Sequence, residues 1–178
     1  MTAGRRTTWP AYAAAAVAFV FALVSLYWAA GGMAAMGTLG GEIEKLGRAR
    51  DSELVAATWA ATVLKLLGAL LALALVRPWG RRLPRRLLLV TAWVGAVVLT
   101  LYGAAQTAAV VLINFGVVDD TQGMSERALR WRMLLWEPWF LAWGVLLGLA
   151  AWQFGRTGDQ PPSSSTTSRA SRLGATNV

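Results

Sequence analysis

The sequence predicts an all-α integral membrane protein, a four-transmembrane-helix up-down bundle. Three observations support this fold class. Apolar residues make up 56% of the 178 residues and charged residues only 15%, which is a lower share of charge than soluble globular domains carry. The apolar residues are gathered into four long segments, and most basic residues lie between or beyond those segments. A soluble fold of this size has too little interior to hide so much apolar surface.

Each of the four apolar segments is long enough for a helix across a bilayer core, which takes about 20 residues. The predicted spans cover residues 11–30, 54–76, 87–113 and 133–155. Together they form a membrane domain over residues 11–155, between an N-terminal tail (1–10) and a polar C-terminal tail (156–178) that we expect to be disordered. The first span has full transmembrane length and carries bulky Tyr27 and Trp28 near its end, which favours a retained anchor over a cleaved signal peptide.

The placement of basic residues predicts which way the spans face. The loop between the second and third spans reads RPWGRRLPRR and holds five arginines, and both tails are also basic. The segments on the opposite side hold six basic residues and seven acidic ones. Because Lys and Arg accumulate in short cytoplasmic loops, we expect the N- and C-termini in the cytoplasm.

The same rule explains the net charge of +8 without nucleic acid as a partner. The arginines of the middle loop are also candidates for binding anionic lipid of the inner leaflet. They are Arg77, Arg81, Arg82, Arg85 and Arg86.

The composition narrows the chemistry as well. The chain has no Cys and no His, which removes thiolate chemistry, the commonest metal and haem ligands, and the usual general base. Only nine residues are acidic. We therefore expect no cofactor, no metal site, no catalytic residue and no enzymatic activity.

Two charged residues lie inside the predicted spans, Lys65 in the second and Glu137 in the fourth. A charge near the bilayer centre costs about 2.5–3.5 kcal/mol on insertion scales, so Lys65 should face the bundle or water rather than lipid. We hypothesise that Lys65 and Glu137 pair, either directly or through Gln106, Tyr102 or water. Pro138 follows Glu137 and cannot donate a backbone hydrogen bond, which predicts a kink or a break in the fourth span.

Polar and aromatic groups collect in the half of the spans opposite the arginine-rich loop. This half is predicted to face outward and to hold the functional pocket. The candidate pocket residues are Lys65, Glu137, Gln106, Tyr102, Tyr27, Trp28, Trp136 and Trp139. For the tryptophans alone, an aromatic belt at the membrane surface is the simpler interpretation. Further down the fourth span, Gly144 and Gly148 predict a close helix contact.

Two short motifs carry a resemblance to a known family. They are Tyr27-Trp28-x-x-Gly31-Gly32 at the end of the first span and Trp136-Glu137-Pro-Trp-Phe in the fourth. With four spans and an arginine-rich middle loop, the sequence resembles a domain-of-unknown-function family of small bacterial membrane proteins of actinobacterial type. The resemblance implies a multi-pass protein of the bacterial plasma (inner) membrane and brings no activity with it.

Three functions remain open. The first is a non-enzymatic membrane protein that binds lipid or a small ligand in the outward-facing pocket, or that serves as an accessory subunit, either as a homodimer or with another membrane partner. The second is a small proton- or cation-coupled transporter that uses Glu137 and Lys65. The third, an enzyme acting on outer-leaflet lipid, is the weakest because the chain lacks His, Cys and a second carboxylate close to Glu137.

Overall fold

The computed structural model describes residues 8–119 and 125–156, and these ranges contain helices but no strand. The predicted tails therefore lie outside the described residues, apart from residues 8–10 and Arg156. The helices are α1 (Trp9–Ala29), α2 (Gly41–Arg48), α3 (Ser52–Ala74), α4 (Arg85–Asn114), α5 (Glu126–Trp131) and α6 (Glu137–Arg156). A π-helical turn, Arg132–Trp136, joins α5 to α6 without a break.

Four helical stretches are long and apolar enough to cross a membrane: α1, α3, α4 and the continuous stretch Glu126–Arg156. The predicted all-α class with four long helices is confirmed. The two ends of the bundle differ in character. The polar-loop end carries residues 30–51, 115–119 and 125–131, whereas the arginine end carries residues 75–84 and the end of α6 at Arg156.

Helix starts follow from local sequence. The Asp51 carboxylate accepts hydrogen bonds from the backbone N–H groups of Glu53 (3.1 Å) and Leu54 (3.0 Å) and so caps α3. The Ser125 hydroxyl accepts from Ala128 N–H at 3.2 Å and caps α5. In α1, Pro10 stands at the first turn, where its missing N–H costs no helical hydrogen bond.

The four long helices form a row rather than a closed square. α1 packs along α3 on one side and along α6 on the other, and α4 packs along the far side of α6, so the spatial order is α3, α1, α6, α4. α3 and α4 follow each other in the chain, yet they touch over only a short stretch. Neighbouring helices run antiparallel, as the contacts of Arg50 with Trp28 and of Arg77 with Tyr12 show for α1 and α3.

Small side chains bring the helix axes together. The core is rich in buried alanines on α1, α3, α4 and α6, with Leu147 and Trp143 as its buried large residues on α6. α4 and α6 approach each other closely enough for backbone contact. A Cβ on Gly103 would collide with the backbone of Leu141, and one on Gly144 would lie 2.6 Å from Thr100 N. The close contact predicted at Gly144 is therefore present, and it depends on glycine from both helices.

We expect Asp51→Ala to lower the stability of α3 by about 1 kcal/mol, because two backbone N–H groups lose their side-chain acceptor. Asp51→Asn is the matched control, since an asparagine oxygen accepts the same hydrogen bonds. Thermal unfolding in detergent, followed by circular dichroism at the helix band, measures the difference. Equal stability of the two variants would contradict a capping role.

Candidate functional site

The chain turns back on itself at the end of α1. Gly31, at φ 107°, allows the turn, and the Trp28 indole N–H donates to Ala34 O at 2.9 Å. Ala34 N–H donates to the Tyr27 hydroxyl at 3.2 Å. The Tyr27 ring lies against Gly32, where any Cβ would collide with it. Tyr27 and Trp28 thus hold the following loop, and this explains why two glycines stand four and five residues beyond Tyr27.

A cluster of aromatic rings lies below this loop, centred on Phe21 of α1. Phe21 is 5% exposed, and its ring centroid lies 6.1 Å from Trp136, 5.8 Å from Trp139 and 4.8 Å from Phe140. Trp28 joins the cluster at 5.2 Å from Trp136. These separations and inclined ring planes are those that aromatic pairs prefer. We call Phe21, Trp28, Trp136, Trp139 and Phe140 the aromatic cluster.

Two indole N–H groups tie the aromatic cluster to the backbone and loop around it. Trp136 Nε1 donates to the Thr38 hydroxyl at 3.0 Å, which fixes the loop over the cluster. Trp139 Nε1 donates to Val17 O on α1 at 3.2 Å. Both rings therefore have set orientations, so the predicted tryptophans do more here than mark a membrane surface.

Lys65 reaches this cluster from α3. Its ammonium lies 4.0 Å from the Phe21 ring centroid and donates to the buried Ser25 hydroxyl at 2.6 Å. Within residues 8–119 and 125–156, no carboxylate forms an ion pair with Lys65. The side chain thus carries a positive charge among aromatic and hydroxyl groups. An ammonium has three donor hydrogens, and the Ser25 hydroxyl accepts one of them.

Glu137 does not pair with Lys65. Its carboxylate instead forms an ion pair with Arg132, 2.7 Å from Nη2 and 2.8 Å from Nε, and the two side chains are 5% and 13% exposed. The hypothesis of a direct Lys65–Glu137 pair is therefore wrong, and the reason is the backbone conformation just before Glu137. Residues five apart point about 140° apart on an α-helix, but a π-helical turn bonds residue i to i+5, and Glu137 N–H donates to Arg132 O.

Tyr102 and Gln106 lie on α4, on the far side of Phe140. The Tyr102 ring meets Phe140 edge-on at 5.0 Å, and the Gln106 amide is 3.5 Å from the Tyr102 hydroxyl. Neither side chain bridges Lys65 and Glu137 by a direct contact. They extend the aromatic contacts across α6 to α4 and lie apart from the charge on α3.

The structure thus brings Lys65, Trp136 and Trp139 together around Phe21, with Trp28 joined through Trp136. It leaves Glu137, Tyr102 and Gln106 in separate contacts. Sequence reasoning missed Phe21, Ser25 and Arg132. Phe21 and Ser25 are four residues apart on α1 and share one face, but nothing in the sequence shows that α3 lies opposite that face. Arg132 was counted as a loop residue because it lies just before the predicted fourth span, which begins at residue 133.

The described residues offer few ligands for a metal ion. Among the described residues, no three Asp or Glu side chains come together as a metal site would require.

At the arginine end, the predicted lipid-binding residues Arg77, Arg81, Arg82, Arg85 and Arg86 are all exposed. Arg85 donates to the last carbonyls of α6, at 3.2 Å from Phe154 O and 2.6 Å from Gly155 O.

Comparison with known proteins gives one match. The model of a family described as "Protein of unknown function (DUF3995)" matches residues 18–147. This range runs from the middle of α1 to the middle of α6 and contains the aromatic cluster, Lys65 and Glu137. No curated protein and no solved structure matches the chain.

Proposed function

The chain belongs to this family of proteins of unknown function, and we propose that it is a multi-pass protein of the bacterial plasma membrane that binds a small anionic ligand beside Lys65. Both termini are cytoplasmic in this proposal, so that the polar-loop end faces outward. The arginine end then lies on the cytoplasmic side, in agreement with the positive-inside rule.

The observation that carries the proposal is the uncompensated charge of Lys65. Its ammonium has a hydroxyl and an aromatic face as neighbours, and within the described residues no carboxylate pairs with it. Lys65 is only partly buried, but an ammonium in such a position without a counter-charge is still costly, and an anion that accepts one of its remaining hydrogens would offset that cost. The Phe21 ring beside the ammonium supplies an apolar surface of the kind that lines small-ligand sites.

The arrangement around Glu137 favours this function over proton- or cation-coupled transport. A transporter of that kind needs a carboxylate that is free to exchange its proton or cation, and the Glu137 carboxylate is buried and bonded to Arg132. Glu137-dependent flux in liposomes under a pH gradient or with a panel of cations would instead support the transporter. The binding function needs neither catalysis nor a cofactor.

Native mass spectrometry from a mild detergent tests the Lys65 site. We expect the wild-type protein to retain a small non-lipid adduct and Lys65→Met to lose most of it, because methionine resembles the apolar stem of lysine but lacks the ammonium. Lys45→Met is the control, since Lys45 is an exposed lysine of α2. An adduct that survives Lys65→Met, or that Lys45→Met removes equally, would contradict the proposal.

The orientation has its own test, for which the absence of Cys provides a clean background. We expect single cysteines at Lys45 and Arg82 to behave in opposite ways in intact cells treated with a membrane-impermeant maleimide. Lys45→Cys should be labelled from outside, whereas Arg82→Cys should be labelled only after the cells are opened. The reverse pattern would place the termini outside.

A further inference from the structure

A groove runs along the outer face of α4 and α6, away from the aromatic cluster. It has a volume of about 390 Å³. Its walls are Trp93, Val97 and Leu101 on α4 and Val145, Leu149 and Trp152 on α6, and its floor includes Ala96, Thr100, Gly144 and Gly148. The wall residues are exposed, so within the described residues the groove has no covering element.

Each wall of the groove leads to an arginine at the arginine end. On α6, Trp152 is followed four residues later by Arg156, whose guanidinium lies 3.9 Å from the Trp152 ring centroid. On α4, Arg86 precedes Trp93 by seven residues, which places both on the same helix face. Both arginines are exposed, and within residues 8–119 and 125–156 no carboxylate pairs with either.

The length of the groove indicates what fits it. The groove extends over eight residue steps on each helix, from Trp93 to Leu101 on α4 and from Gly144 to Trp152 on α6, which is about 12 Å of helix. One leaflet of a bilayer core is about 15 Å thick, half of the whole core. A helix of a second copy would run through the full thickness of the membrane, whereas an acyl chain of one leaflet ends near the middle of the membrane. The length of the groove therefore matches an acyl chain better than a helix.

We propose that this groove is a binding site for an anionic phospholipid of the leaflet at the arginine end. The acyl chain lies between the walls, over the floor that Gly144 and Gly148 line, and Arg86 and Arg156 bind the phosphate group. Arginine suits this role because its planar guanidinium bonds two phosphate oxygens at once. Trp93 and Trp152 stand at the level where indole rings meet the headgroups.

This site differs from general attraction of the arginine-rich loop to a negative membrane surface. Arg81 and Arg82 are also exposed and would take part in surface attraction as well. They lie in the turn before α4, off the face that Arg86 shares with the groove wall. Arg85 is engaged with the carbonyls of α6. A lipid site in the groove therefore depends on Arg86 and Arg156 in particular.

The test is native mass spectrometry of the full chain titrated in detergent with phosphatidylglycerol or with phosphatidylcholine of the same acyl chains. We expect phosphatidylglycerol to bind at least about tenfold more tightly, and Arg86→Gln with Arg156→Gln to remove that preference. Arg81→Gln with Arg82→Gln is the charge-matched control and should retain it. Val97→Trp, which fills the groove and leaves both arginines, should weaken binding of both lipids.

Three outcomes would overturn the proposal. They are equal affinity for the two lipids, an equal loss in the Arg81 and Arg82 control, and unchanged lipid binding in Val97→Trp. A dimer that Val97→Trp dissociates would show that a second copy occupies the groove, which also overturns it. Thermal unfolding of each variant shows whether the bundle is intact. Because Lys65 lies on α3 and takes no part in the groove, Lys65→Met should leave the lipid preference unchanged.

Discussion

Replacing Gly103 with alanine is expected to destabilise the bundle by about 1–3 kcal/mol or more, the cost of overpacking a close-packed interface. The added Cβ would collide with the backbone nitrogen and Cα of Leu141. A backbone atom inside a helix cannot rotate away as a side chain can, so α4 and α6 must separate along their length. The loss should appear in reversible unfolding by sodium dodecyl sulfate in mixed micelles.

Gly148→Ala is the matched control on the same pair of helices. Its Cβ would lie 3.5 Å from the Ala96 Cβ, which is an ordinary contact. Alanine also favours the helix over glycine by about 1 kcal/mol, so this variant should be as stable as the wild type or slightly more stable. Replacing glycine with alanine is thus expected to lower the stability of the bundle at Gly103 and to leave it unchanged or raise it at Gly148. A Gly103→Ala variant that is as stable as Gly148→Ala would show that α4 and α6 do not approach as closely as described.

The four helices were predictable because length and apolarity are local properties of the chain. The close contact at Gly144 also follows from residue type and spacing. The row order of the helices could not be predicted in this way. All four helices are apolar on most of their surface, so no narrow apolar face indicates which neighbour each one meets.

The candidate site was predictable in part for a related reason. Lys65 was recognised because a charge within an apolar span is conspicuous. Its contacts with Phe21 and Ser25 depend on the register of α3 against α1, which the sequence of either helix leaves open. The aromatic residues were placed at the correct end of the bundle by counting along each span, but their common centre at Phe21 required the structure.

The Arg132–Glu137 contact shows how one backbone feature can change the partner of a charge. Pro138 has no N–H, so the hydrogen bond that an α-helix would make from this position is lost. The preceding residues form the π-helical turn instead, which places Arg132 beside Glu137. Without that turn, regular helical spacing would direct the two side chains to different faces, which is why the sequence left Lys65 as the apparent partner.

Removing the Arg132 side chain is expected to destabilise the bundle by about 3–5 kcal/mol, because the Glu137 carboxylate is then left buried without its ion-pair partner. Arg132→Met and Glu137→Leu are the single variants. The double variant should lose much less than the sum of the two, since an apolar pair leaves no buried charge. A thermodynamic cycle from unfolding in mixed micelles measures this coupling.

The chain offers a control pair of the same types close by. Arg130 and Glu126 lie 3.7 Å apart on α5, with side chains 71% and 91% exposed. Because water solvates both charges, removal of either should leave stability unchanged within error. Additive losses at Arg132 and Glu137 would mean that each charge finds solvent or another partner once the other is gone. The Glu137 carboxylate would then be free to exchange a proton or cation, and this result would favour the transporter function over the binding function.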